Sequence, residues 1–227
     1  MPAHANYPQA ADLESYLRAL GILTDVQMAA LLSFLSLEEA TAAARSEWES
    51  ETGWRPFLAD ASPVTRYYDP QGPNFRPHTV GGGYRLDLEA GLIALTSVIV
   101  DVDAESPGTT LVSGEDFWLD PYNAAVMGLP YTAVLFVVRR WGARRSIAVT
   151  GRFGFAETLP DDVWQCVLQK SAAVTFAALR ERASAGLVEW KEADVSERYG
   201  ENFLESSRRA WEEAFRRAAG RYRRVTL

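Results

Sequence analysis

Between Gln9 and Gly53 the apolar residues recur at intervals of three and four. Between Pro63 and Phe155 they alternate with polar ones, and from Pro160 onward the helical spacing returns. A period near 3.6 marks helices with one buried stripe, and a period of two marks strands with one wet face. The first stretch predicts a short helix over residues 9–20 that stops at Gly21, a residue suited to the left-handed C-terminal cap. Thr24-Asp25-Val26-Gln27 and Ser36-Leu37-Glu38-Glu39 both read as capping boxes, in which a hydroxyl and a side chain three residues on satisfy free backbone N–H groups. From Leu37 the positions Ala40, Ala44 and Trp48 form a single stripe that ends at Thr52-Gly53.

The alternating stretch predicts strands at residues 64–68, 84–88, 92–102, 109–112, 116–119, 133–139 and 146–151. Turn residues divide them at Pro70-Gln71-Gly72-Pro73, Gly81-Gly82-Gly83, Ser106-Pro107-Gly108 and Trp141-Gly142. Tyr84-Arg85-Leu86-Asp87-Leu88 alternates as a strand with one solvated face, whereas Val98-Ile99-Val100 reads as buried on both faces. Helix resumes at Pro160, with Asp161 and Asp162 near the positive end of the dipole and a core stripe of Val163, Val167, Ala172, Phe176 and Leu179. After Gly186 a connecting run, 187–200, leads to a final helix over 202–222 with the stripe Leu204, Trp211, Phe215, Ala218 and Tyr222. The order predicts an α+β chain: one helical domain, residues 1–62 and 157–227, interrupted by an inserted antiparallel β-sandwich or barrel module at 63–156.

Composition narrows what such a chain does. With 227 residues, 48% of them hydrophobic, it can bury its own core without metals or disulfides. Cys166 is the single cysteine and sits inside a helical pattern far in sequence from either histidine, which suits a small buried hydrophobe better than a nucleophile. His4 falls in an expected loose terminus and His78 in a Pro/Gly-rich loop, so the count and spacing needed for a histidine triad or a zinc site are missing. No catalytic residue, metal or cofactor is expected. The start lacks a basic segment followed by an apolar run, and residues 92–102 and 133–138 fall short of the roughly 20 a membrane helix requires, so the expectation is a protein of the cytoplasm without membrane contact. The net charge is -7, yet residues 206–227 hold seven arginines against Glu212 and Glu213, a local balance of +5 that leaves -12 elsewhere. An acidic body with a basic tail points to a tail that docks on something acidic.

Several motifs have two readings. Gly81-Gly82-Gly83 lacks the Gly-Lys-Ser/Thr of a phosphate loop and precedes a strand, so it reads as a hairpin. Gly151-Arg152-Phe153-Gly154 has the Gly-x-x-Gly of some RNA clamps without their helical context, and reads as a strand-ending turn. Asp101, Asp103 and Glu105, joined by Asp116 and Asp120, form either a calcium or glycosidase group or a solvated turn. Arg139, Arg140, Arg144 and Arg145 around Trp141 form either a phosphate- or base-contacting tip or a charged guard for a sheet edge. The C-terminal helix sets Trp211, Phe215 and Tyr222 opposite Arg208, Arg209, Arg216 and Arg217, and its apolar side has to be buried somewhere, another subunit being one candidate.

These residues, in their order, resemble the head-tail connector, or neck adaptor, family of tailed bacteriophages in a longer version with a β insertion. The matching segments are Glu51-Thr52-Gly53-Trp54-Arg55-Pro56-Phe57, Thr65-Arg66-Tyr67-Tyr68-Asp69-Pro70, the strand at 92–102, Asp116-Phe117-Trp118-Leu119-Asp120-Pro121 and Pro130-Tyr131-Thr132. After them come Val149-Thr150-Gly151-Arg152-Phe153-Gly154-Phe155, the helix start Leu159-Pro160 and Asp194-Val195-Ser196-Glu197-Arg198-Tyr199, so the resemblance spans residues 37–199. Short members of the family are almost wholly helical, and the strand-rich insertion departs from them. The resemblance implies a non-enzymatic ring of copies, twelvefold, in the neck of the virion and assembled in the host cytoplasm. It also implies a portal protein on one side, a stopper or tail-completion protein on the other, and genomic DNA passing through the channel without sequence-specific binding. On that reading Arg208, Arg209, Trp211, Phe215, Arg216, Arg217 and Tyr222 form a portal or subunit interface, and the Arg139–Arg145 tip a further contact. Two other readings stand beside it: a carbohydrate-binding β module stacking sugars on Tyr67, Tyr68, Trp118 and Trp141, and a hydrolase using Asp101, Asp103 or Asp116.

Overall fold

A computed structural model describes residues 3–21, 25–33, 35–78, 83–101, 107–137, 146–184 and 203–224. In chain order the elements are β1 (Ala3–His4), α1 (Ala10–Ala19), α2 (Asp25–Leu32), α3 (Leu37–Thr52), β2 (Val64–Tyr68), β3 (Phe75–Pro77), β4 (Tyr84–Val100) and β5 (Thr109–Thr110). There follow β6 (Phe117–Asp120), α4 (Ala124–Met127), β7 (Tyr131–Phe136), β8 (Ile147–Phe153), β9 (Leu159–Pro160), α5 (Asp161–Ser184) and α6 (Phe203–Arg221). The protein is α+β, and it divides into two compact units: Met1–Gly53 with Leu159–Leu227 form unit 1, and Trp54–Thr158 form unit 2.

Unit 1 is built from amphipathic helices whose ends follow from their capping residues. The backbone N–H of Gln9 donates to Asp12 Oδ2 at 2.8 Å to open α1, and Ser36 Oγ accepts the Glu39 N–H at 3.2 Å to open α3. Gly53 closes α3 at φ +75°, where its N–H donates to the Glu49 carbonyl in a conformation that strains residues with a Cβ. The predicted stripes are buried, Leu37, Ala40, Ala44 and Trp48 on α3 and Val163, Val167, Ala172, Phe176 and Leu179 on α5. Leu13 and Leu17 of α1 and Met28 and Leu31 of α2 pack with Leu37, Ala40, Ala172, Phe176 and Leu179 in one core, each leucine or methionine contributing about 1.5–3 kcal/mol relative to exposure. Thr52, Ser171 and Thr175 are buried in this unit with partners, their hydroxyls donating to the Trp48, Val167 and Ser171 carbonyls.

The start of α5 differs from expectation. Pro160 lies just outside the helix, in β9, which pairs with β1 through Ala3↔Pro160 and His4↔Leu159. His4 is therefore not in a loose terminus: its Nε2 sits 3.0 Å from Asp161 Oδ1 and its ring stacks on Trp164 at 4.5 Å. A two-residue bridge carries no periodicity of its own, so the pattern leaves it unseen.

Unit 2 holds one open antiparallel sheet of seven strands whose main path runs β2-β8-β4-β7-β6, with β3 and β5 each paired to β4 alone. The sequence predicts two strands where the structure has the single 17-residue β4. No turn forms at Glu89-Ala90-Gly91. Instead β4 pairs with β7 over Tyr84 to Leu92 and with β8 over Leu92 to Val100, and register shifts between Asp87 and Leu92, Leu92 and Ala94, and Leu95 and Ser97 mark where it bends. Gly91 permits that bend, because a Cβ there would lie 2.6 Å from both the Gly154 carbonyl oxygen and Pro130 Cβ. Leu86, Leu88, Leu92, Val98, Val134, Phe136, Val149 and Phe153 fill the core on the inner face.

Candidate interaction surfaces

The helix α6 carries the residues that the sequence singles out on unit 1. Its apolar stripe is used within the unit: Phe215 is buried edge-on against Trp48 with ring centroids 5.5 Å apart, Tyr222 lies 6.0 Å from the same indole, and Trp211 stacks on Phe176 at 6.0 Å. Lys170 places its Nζ 5.4 Å from the Phe215 centroid while pairing with Glu47 at 2.7 Å. The hydroxyl of Tyr222 donates to Asp162, and Arg221 pairs with the same carboxylate at 2.8 Å.

What α6 turns outward is charge. Glu205 pairs with Arg208 and Arg209, both at 2.9 Å, and these hydrogen bonds, Arg208 first and then Arg209, hold its carboxyl down at about 2. Arg208 also reaches Glu212, and Arg217 reaches Glu213, each at 2.6 Å. Arg216 and Arg217 are exposed. The helix therefore presents a basic face in which most cations already have a carboxylate one turn away, the (i, i+3) and (i, i+4) spacing that stabilises a helix locally.

In unit 2 the prominent surface is apolar. Tyr122, Val126 and Met127 are 80%, 90% and 66% exposed on and beside α4, next to Trp118 on β6 and Leu129 before β7. No aspartate, glutamate, lysine or arginine occurs from Pro121 to Val138 in a chain that is 23% charged. Ser113, Gly114, Trp118, Leu119, Tyr122 and Tyr131 line a shallow depression of about 260 Å³ there, without an ionisable acid or base suited to catalysis near neutral pH. The sequence pattern passes over this patch because each of its apolar residues is unremarkable alone. The absence of charge over the whole run was the signal available.

Among the described residues the sugar-stacking aromatics are not on paired strands. Tyr68 is buried in the unit 2 core, which corrects its reading as a sugar-stacking residue, and Tyr67 on β2 and Trp118 on β6 stand on strands that do not pair with each other. Trp141, with Arg139, Arg140, Arg144 and Arg145, lies outside the described residues, as do Asp103, Glu105, Gly81, Gly82 and residues 194–199. Two carboxylates named in the calcium, glycosidase and hydrolase readings, Asp116 and Asp120, serve the local backbone and an ion pair. Asp116 accepts the Val112 N–H at 2.7 Å, and Asp120 pairs with Arg85, which also holds Asp87. Among the described residues no group of three or more His, Cys, Asp or Glu side chains is placed to hold a metal ion.

Gly151-Arg152-Phe153-Gly154 is a packing device. A Cβ on Gly154 would meet the backbone of Ala59, and the Arg152 guanidinium donates to the Asp60 carbonyl at 3.0 Å, so the segment seats residues 58–60 against the end of β8. The Cys166 thiol lies 3.8 Å from the Ala214 carbonyl, and burial first and Asp162 second push its pKa up, which disfavours the nucleophilic thiolate.

No protein-family model and no curated protein matches this chain. Three solved structures are similar to all of it and to 97% of their own chains. The first is the neck of a native GTA particle computed with C12 symmetry, at 12% identity and TM-score 0.42. The second is the virion of a native gene transfer agent particle, at 18% and 0.45. The third is the neck of an empty GTA particle computed with C6 symmetry, at 15% and 0.43.

Proposed function

We propose that this chain is a structural subunit of a phage neck, a head-tail connector that joins copies of itself into a ring around the DNA channel. The observation that carries the reading is where the connector-like segments fall. Glu51-Thr52-Gly53-Trp54-Arg55-Pro56-Phe57 spans the point at which the chain leaves unit 1, and Leu159-Pro160 is the point at which it returns. The strand-rich insertion is thus bounded by two of the segments that resemble the family, and the chain's two ends make one helical unit between them. Further support is chemical: His4, Cys166, Asp116 and Asp120 are engaged in local contacts of the fold, and the exposed features include a basic helix face and an uncharged apolar patch, which are suited to contact with other proteins.

In this reading the ring sits between a portal protein and a stopper or tail-completion protein, with twelve copies as in the family. The basic face of α6, centred on Arg216 and Arg217, docks on the portal. The acidic balance of the remaining chain keeps sliding DNA from sticking, because like charges repel phosphates. The test is native mass spectrometry of the full-length chain mixed with the portal protein of the same particle. A ring-sized complex is expected, and a mixture that yields no complex overturns the connector reading. Truncation after Gly200 cannot test the α6 contact, since it would strip Phe215 and Ala218 from the core. The double substitution Arg216→Glu and Arg217→Glu leaves that core intact and should abolish portal capture; undiminished capture would remove α6 from the interface.

A further inference from the structure

We infer that the depression beside β6 is a binding site for an uncharged, proline-rich segment of another protein, taken up in the extended polyproline II form. The inference concerns unit 2 alone and goes beyond the connector reading, on which it does not depend.

The depression is built around three aromatic rings. Trp118 on β6, Tyr122 ahead of α4 and Tyr131 at the start of β7 line it together with Ser113, Gly114 and Leu119, and its volume is about 260 Å³. Leu119 and Tyr131 pack against the core of unit 2 and are held by it, while Trp118 and Tyr122 are 42% and 80% exposed. The site therefore offers aromatic faces to solvent from positions fixed by a folded sheet.

Its polar side chains are of one kind. The lining carries three hydroxyls, on Ser113, Tyr122 and Tyr131, and the indole N–H of Trp118, and among the described residues none of these four side chains hydrogen-bonds to another group of the protein. All four can donate, and no carboxylate, side-chain amide, guanidinium or ammonium is among the lining residues. The carboxylates close by in sequence are placed elsewhere: Asp116 accepts the Val112 N–H, Asp120 pairs with Arg85, and Glu115 is exposed outside the lining.

Uncharged donors beside aromatic faces select the ligand. An anionic ligand would meet no cation in the lining. A sugar brings about as many O–H donors as acceptors, and its donors would lack the carboxylates that bind them most strongly. A proline-rich segment matches on each count, because its carbonyls accept, its prolines bring no N–H in need of an acceptor, and its pyrrolidine rings lie against aromatic faces. Such a segment is extended before it binds, so a shallow site has little ordering entropy to overcome. Exposed Val126, Met127 and Leu129, in a run from Pro121 to Val138 free of aspartate, glutamate, lysine and arginine, continue the uncharged surface past the depression.

The experiment titrates the full-length chain with end-blocked decaproline, reading affinity by calorimetry and location by the NMR shift of the Trp118 indole N–H, which is identified by its loss in Trp118→Phe. A saturable signal with a dissociation constant below about 1 mM is expected, and Tyr122→Ala and Trp118→Phe should each weaken it at least about fivefold. Both positions are exposed, and a second pair, Tyr122→Ser and Trp118→Leu, replaces any variant whose circular dichroism departs from the parent's. An end-blocked Gly-Ser peptide of equal length should give no signal; equal binding by it refutes the proline chemistry. Maltohexaose is the sugar arm, and binding of it that these variants weaken, with decaproline silent, makes the site a carbohydrate site and sinks the inference. Decaproline that does not bind, or that binds both variants as well as the parent, sinks it too. None of these results touches portal capture, which decides the connector reading separately.

Discussion

Replacing Phe215 with alanine removes a ring that is 1% exposed and wedged between the Trp48 indole at 5.5 Å and the Lys170 ammonium at 5.4 Å. Truncations of this kind cost about 3–5 kcal/mol, because the transfer free energy of the lost atoms adds to that of the cavity left behind. The edge-on contact with Trp48 places this one near 4 kcal/mol, since such pairs contribute about 0.5–1.5 kcal/mol beyond their buried area. With a urea slope of about 2 kcal/mol per molar, the midpoint for unit 1 should fall by roughly 2 M. Hydrogen exchange read by mass spectrometry separates the two units: peptides from α3 and α5 should lose protection by roughly a thousandfold, the equivalent of about 4 kcal/mol, while peptides from β4 and β8 keep theirs. The exposed substitution Arg216→Glu serves as the control and should stay within about 0.5 kcal/mol of the parent. If Phe215→Ala speeds exchange in α6 alone and leaves α3 and α5 protected, the final helix does not hold up the core and the account of unit 1 as one body made from both chain ends is refuted.

Gly154→Ala should destabilise unit 2 by about 1–3 kcal/mol through overpacking, because the new methyl meets the Ala59 backbone nitrogen at 2.6 Å; a thermal midpoint equal to the parent's would contradict this. Glu205 is held at about 2 by Arg208 and Arg209, below its ordinary value of 4.5, so the stability it lends is present above that ordinary value and disappears as the pH falls from there towards 2. Glu205→Gln should flatten the helical acid titration followed by circular dichroism in that window, and the difference should shrink in high salt. Cys166, buried and with its thiol pKa raised, should react with a thiol reagent at pH 8 only slowly in the folded protein and promptly in denaturant; fast labelling of the native chain would place it on the surface.

The helices of unit 1 were legible because their signals are local. The stripe from Leu37 to Trp48, the hydroxyl of Ser36 and the glycine at Gly53 act within a few residues of one another, and the structure uses each of them as the pattern indicates. Most strands of unit 2 were legible as strands for the same reason, though β3 at Phe75–Pro77 was not. Their number was not: the Glu89-Ala90-Gly91 stretch looks like a break, yet β4 runs through it, because partners brought from β7 and β8 decide whether a glycine there makes a turn or a bend. Pairing of β1 with β9, which anchors His4, joins residues more than 150 positions apart and leaves no periodic trace.

The interaction surfaces divide along the same line. The arginines of α6 and the aromatics of unit 2 could be picked out one by one, but a side chain's fate depends on what lies across from it. Tyr68 went to the core while its neighbour Tyr67 stayed outside, and Trp211, Phe215 and Tyr222 found their partners within unit 1. By itself the sequence determined the period of each segment, where its elements could start and stop, and a chemistry poor in groups for catalysis. Only the tertiary structure decided which strands neighbour one another and which apolar residues remain uncovered, since burial is settled by contacts between residues far apart in the chain and no local pattern encodes them.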